Sequence, residues 1–119
     1  MERKEYNGWT NYETWLCALW IDNDEGGNEA AIERAEQALR HSDGDRDEAA
    51  NDCAESIKSE YEEFASERVG STGFLSDLVS AALGEINWRE IAEHHVDAAW
   101  DSIGEEFAEE RPTAQEVQK

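Results

Sequence analysis

Carboxylates are the side chains in this sequence with the numbers and spacing to do chemistry, and cation binding is the first chemistry to weigh. Asp22, Asp24, Gly27 and Glu33 fall at positions 1, 3, 6 and 12 of a loop counted from Asp22, the spacing of an EF-hand. Gly26 leaves position 5 without a side-chain oxygen and Glu29 fills the usually apolar position 8. The expectation is therefore a helix–helix turn whose acids cap and solubilise. Asp43, Asp45 and Asp47 make a second run, but Glu48 replaces the turn glycine and Ala54 replaces the bidentate glutamate. At most a weak cation site is expected there, so no metal is assigned.

Other reactive groups are sparse. His94 and His95 are adjacent, so on a helix they point about 100° apart and cannot chelate one ion. Neither H-E-x-x-H nor E-x-x-H occurs, which removes the common helical zinc and di-iron patterns. Glu90 and His94 lie four apart, with Asp97 and Asp101 continuing the row, and a surface ion-pair row is expected. There is no G-x-S-x-G and no glycine-rich phosphate loop. Cys17 and Cys53 lack the basic neighbours that stabilise a thiolate and are expected to be small buried apolar residues. An enzyme is the least expected class, and no cofactor is expected.

Charge sets the polarity of any partner. The 119 residues carry 30 Asp and Glu against 10 Lys and Arg, a formal net charge of −20. Such a surface repels phosphates and anionic membranes, so neither nucleic acid nor membrane is expected as a direct partner. It attracts basic proteins or suits a high-salt solvent. Mean hydropathy is −0.85, a value shared with disordered chains, but five Trp, three Tyr and three Phe at helical spacing argue for a folded core. No apolar run approaches the roughly 20 residues of a membrane span. The start Met1-Glu2-Arg3-Lys4-Glu5 has no signal-peptide core, and a cytoplasmic protein is expected.

The elements that must position these groups read as four to five helices in one compact all-α domain over residues 10–111, with a polar lead-in at 1–9 and a flexible tail at 112–119. Thr10 and Glu13 form a capping box for a first helix with Tyr12, Trp15, Leu16, Leu19 and Trp20 as its buried stripe. The Asp22–Gly27 segment ends it. Asn28 caps a second helix with Ala31, Ile32, Ala35 and Leu39 inward. A third, at about 47–68, carries a seam of Ala50, Cys53, Ile57, Tyr61 and Phe64 on an acidic rod, with Gly70 as its left-handed cap. A fourth, about 72–83, turns Leu75, Leu78, Val79 and Ala82 inward. The fifth starts at Asn87 with Glu90 closing a capping box and Ile86 against Ile91 as a staple. It buries Trp88, Ala92, His95, Ala99, Ile103 and Phe107, bends at Gly104 and stops at Pro112. The predicted core includes Trp15, Leu19, Trp20, Ile57, Phe64, Leu78, Ile91 and Ala99.

Two blocks are more specific than composition. Gly8-Trp9-Thr10-Asn11-Tyr12-Glu13-Thr14-Trp15 continues to Leu19-Trp20, and Gly84-Glu85-Ile86-Asn87-Trp88-Arg89-Glu90-Ile91-Ala92 lies near the other end. Together they resemble a family of short acidic phage, plasmid and prokaryotic proteins with an N-terminal G-W-x-N-Y-E-T-W-x-x-x-L-W motif. The resemblance implies a mobile-element context and transfers no activity or catalytic residue. Trp9, Trp15, Trp20 and Trp88 are expected to share one core, with an exposed Trp9 or Tyr6 as the alternative hot spot.

A helix of about 22 residues is roughly 33 Å long, the length of about ten base pairs bearing roughly 20 phosphate charges. The acidic row Glu48, Asp52, Glu55, Glu60, Glu62, Glu63 and Glu67 on the third helix thus fits an imitation of a phosphate track. The expected role is a nucleic-acid mimic that inhibits a basic DNA- or RNA-binding defence protein. Its contacts would come from Asp22, Asp24, Glu25, Asp43, Asp45, Asp47, Glu48, Asp52, Glu55, Glu62 and Glu63. The alternative is a haloadapted adaptor or assembly protein whose acidity reflects a salty cytoplasm; having only Lys4, Lys58 and Lys119 as lysines suits it, while the excess of Glu over Asp does not. Oligomeric state is left open.

Overall fold

Asn11, not Thr10, starts the first helix. The structure, a computed structural model, describes residues 5–117 and the side chains of residues 5–107. Helix α1 spans Tyr12–Asn23, and Asn11 Oδ1 accepts the Thr14 N–H at 2.9 Å. Thr10 instead donates its backbone N–H to Glu90 Oε1 at 3.0 Å. The buried face of α1 is Thr14, Ala18 and Ile21, while Tyr12, Leu19 and Trp20 are exposed and Trp15 and Leu16 half-buried. Apolar residues surround most of this helix, so periodicity does not choose a face. Hydrogen bonds from its first turn do.

Those bonds join the two sequence blocks. Thr14 is fully buried; its hydroxyl donates to Asn11 Oδ1 (2.6 Å) and accepts the Asn87 N–H (2.9 Å). Asn11 Nδ2 donates to the Glu85 carbonyl (2.7 Å), and Asn87 Nδ2 donates to Thr10 Oγ1 (3.1 Å). Asn87 Oδ1 caps the last helix by accepting the Glu90 N–H at 3.0 Å, as expected. Glu90 does not close the capping box, because its carboxylate is spent on Thr10. Thr14→Val keeps the shape but leaves the Asn87 N–H buried without an acceptor. It is expected to cost about 1–3 kcal/mol in denaturant unfolding, and a neutral effect would show that the network is dispensable.

Asp24 alone links α1 to α2 (Glu25–His41), so Gly26 and Gly27 lie inside the first turn of α2 and Asn28 does not cap it. α3 is Arg46–Val69, α4 Phe74–Gly84 and α5 Trp88–Val117. Pro112 therefore does not end α5. Gly70 closes α3 with φ +82° and donates its N–H to the Ser66 carbonyl. Before α1, Tyr6 and Trp9 exchange backbone hydrogen bonds across Asn7 and Gly8, both at positive φ, the sign pattern of a type I′ turn.

The five helices make one compact domain. α2, α3 and α5 pack on one another, α1 lies against α2 and α5, and α4 lies on α3. The core holds Leu39, Ile57, Ile91, Val96, Trp88, Ile103 and Phe107 among many alanines, including Ala35, Ala49, Ala92 and Ala99. Small residues at the crossings let helix axes approach closely. The predicted inward set of α5 is buried in full. Leu19, Trp20, Phe64 and Leu78, predicted for the core, are at the surface. α4 is rotated by roughly 90° from expectation: Val79 is half-buried as predicted, with Ser76 buried and Leu83 half-buried beside it, while Leu75, Leu78 and Ala82 are exposed. That helix carries apolar residues on several faces, so periodicity alone does not choose the one that meets α3. Among the described residues no helix is long and apolar enough to cross a membrane.

Candidate acidic interface

Burial of Ala49, Ala50, Cys53 and Ile57 fixes the rotation of α3. At about 100° per residue, Glu48, Asp52, Glu55, Glu62 and Glu63 then fall within an arc of roughly 100° on its outer side. All five are exposed. They form a ridge about 22 Å long at 1.5 Å per residue, near one charge per ~5 Å against one per ~3.4 Å along a DNA strand. Glu60 and Glu67, predicted for the same row, sit on the flank.

The arginines explain why the outer surface stays acidic. Arg34 of α2 pairs with Glu60 of α3, and Arg40 of α2 binds both carboxylate oxygens of Glu106 on α5. Arg89 of α5 reaches Asp47 of α3 at 3.1 Å, with Glu93 at 3.0 Å beside it. Arg46 of α3 lies 3.8 Å from Asp97 and stacks over Trp100 at 4.4 Å. Arg68 covers Phe64 at 4.6 Å. Every arginine whose side chain is described is thus held by the chain itself, four of them bridging helices. The Arg40 hydrogen bond holds the Glu106 carboxyl below its usual range and raises the guanidinium.

The predicted contact residues outside the ridge divide into three groups. Asp43 and Asp45 lie at the N-terminal end of the ridge in a tightly built turn. Asp43 stands at φ +59° and the Gly44 N–H bonds back to the Leu39 carbonyl (2.8 Å), the pattern of a Schellman cap. A Cβ on Gly44 would meet Phe107 at 3.0 Å, so the turn is pressed onto α5. Asp45 caps α3 by accepting the Glu48 N–H at 3.2 Å. Asp47 turns toward α5 into its Arg89 pair. Asp22, Asp24 and Glu25 sit at the α1–α2 corner, where Asp24 shares a cleft with Glu60, Tyr61 and Phe64; they flank α3 away from the ridge.

Carboxylate rows also run along the other helices: Glu25, Glu29 and Glu33 on α2, and on α5 Asp97 and Asp101, which the sequence joined to Glu90 and His94 and the fold aligns with Glu93 and Glu105, all seven carboxylates of the two rows exposed. Their signal was present as like charges four residues apart, an arrangement that weakens an isolated helix. The expected Glu90–His94 row is absent, because Glu90 bonds Thr10 and His94 stacks on Trp9 at 4.2 Å.

Among the described residues no three His, Cys, Asp or Glu side chains converge as a metal site, the two calcium-like loops included. Burial pushes the Cys17 and Cys53 thiols up to about 11, so both stay protonated near neutral pH. His95 is 4% exposed with Nδ1 unpartnered, and burial lowers its pKa, opposed by nearby Asp22 and aided by His94 and Arg34. The four tryptophans expected in one core are dispersed: Trp9 on His94, Trp15 against Tyr6, Trp88 near Tyr61, and Trp20 in solvent.

Fold and surface together define a small acidic helical bundle. The chain belongs to the family of unknown function DUF7249, whose model matches residues 2–111. No curated protein and no solved structure matches it.

Proposed function

We propose that this protein is a non-enzymatic, mobile-element-encoded nucleic-acid mimic that occupies the binding surface of a basic DNA- or RNA-binding protein of host defence. The observation that carries the reading is the α3 ridge. Glu48, Asp52, Glu55, Glu62 and Glu63 face solvent together while the described arginines are drawn into contacts within the chain. A basic partner therefore meets five exposed carboxylates, with Lys58, the one lysine among the described residues, exposed beside them on α3. The turn at Asp43–Asp45 extends the ridge on a fixed backbone. Fixed charges bind without first having to be ordered, which favours association.

Affinity capture on the intact protein tests this. Basic nucleic-acid-binding proteins are expected to be retained at low salt and released steeply as salt rises. Retention that survives about 1 M salt would instead support an adaptor, which the exposed aromatics Trp20, Phe64 and Phe74 favour as the second reading.

A further inference from the structure

Trp20 is 69% exposed and Phe64 50% exposed, although both fall at positions whose periodicity predicts a core. Aromatic rings left in water forgo a large burial gain, so their placement calls for an occupant. Both line a cleft of about 740 Å³ between α1 and α3, with Tyr61, Asn23, Asp24 and Glu60 completing its walls. Three aromatic rings and the Asp24 carboxylate, with Glu60 already paired to Arg34, suit a planar cation with an apolar stem.

We infer that this cleft receives an arginine side chain presented by a basic protein partner, which rests on the mimicry reading and names a contact beyond the ridge. Guanidinium is planar, weakly hydrated, stacks on aromatic faces and pairs with carboxylates in a fork. The chain already places its own arginines at the cleft's edges: Arg68 lies 4.6 Å over Phe64 and Arg34 pairs with Glu60. Trp20, Tyr61 and Asp24 are the other lining groups through which an incoming guanidinium would be held. Lysine fits less well, because its ammonium is strongly hydrated and does not stack as a plane. A second copy of the chain is disfavoured, since it would bring another −20 of charge to the contact.

The test uses the full-length protein, with deca-arginine and deca-lysine as probes, followed by calorimetry and by the Trp20 indole N–H resonance. Deca-arginine is expected to bind more tightly than deca-lysine and to shift that resonance. Trp20→Ala, at an exposed position, is expected to weaken deca-arginine by about fivefold to thirtyfold, the range of a partly desolvated cation–π contact. It should barely change deca-lysine. Equal affinity for the two peptides, or no loss on Trp20→Ala, overturns the arginine site while leaving ridge binding intact. Concentration-dependent self-association through Trp20 without peptide also overturns it. The Glu55→Lys, Glu62→Lys, Glu63→Lys triple variant separates the two claims: it should lower affinity for both peptides and preserve the preference for arginine. If neither peptide binds the wild type, the arginine site and the mimicry reading fall together.

Discussion

Ile57→Ala is expected to lower unfolding stability by about 2–5 kcal/mol, and Trp20→Ala by less than ~1 kcal/mol, reversing what side-chain size alone would rank. Ile57 is 1% exposed and sits among Cys53, Ala50 and the facing residues of α2 and α5. Removing three carbons there opens a void in a bundle already built from alanines, and neighbours with short side chains cannot swing in to fill it. The Trp20 ring, by contrast, is mostly in water. Denaturant unfolding of both variants by far-UV circular dichroism measures the difference. A larger loss for Trp20→Ala would mean that the ring is packed against the core.

That contrast marks where the fold was legible in the sequence and where it was not. The end of α3 and the start of α5 were readable because Gly70 and Asn87 act within a few residues. The inward face of α5 was readable too, since apolar and charged residues segregate cleanly around it. In α1 and α4 they do not. Apolar side chains cover several faces of Tyr12–Asn23 and Phe74–Gly84, and the choice is made by distant partners: Asn87 and Glu85 grip α1, and α4 packs on α3 with Ser76, Val79 and Leu83 as its most covered residues. Thr10 likewise satisfies local capping rules, but Glu90, 80 residues away, takes its N–H instead.

For the interface, the carboxylates themselves were evident, but their grouping was not. Density along the chain put Asp22–Glu25 and the Asp43–Glu48 segment in one set. Folding puts the first at the α1–α2 corner and the second at the start of the α3 ridge. Asp47 looks like its neighbours in sequence, yet its register aims it at Arg89. Gly26 and Gly27 read as a helix stop and instead lie within α2, because Asp24 makes the link alone and the helix resumes at once.

The second large effect is expected from reversing the ridge. Glu55→Lys, Glu62→Lys and Glu63→Lys together replace three exposed negative charges with positive ones on the outer side of α3, where none of the three buries against the core. The helical spectrum should be retained. At the contact, each reversal exchanges attraction for repulsion, and the combined loss in affinity is expected to reach at least about tenfold, or ~1.4 kcal/mol. The loss should shrink as salt rises, since screening weakens surface charges on both sides.

Displacement of labelled DNA or RNA from the captured partner, followed by fluorescence anisotropy, tests the mimicry claim most directly. Wild-type protein is expected to displace the label competitively at low salt, with potency falling steeply as salt is added, and the triple variant to displace it at least about tenfold less well. Equal displacement by wild type and variant, or displacement by neither, would contradict the ridge as a phosphate imitation and leave the acidity as an adaptation to salt.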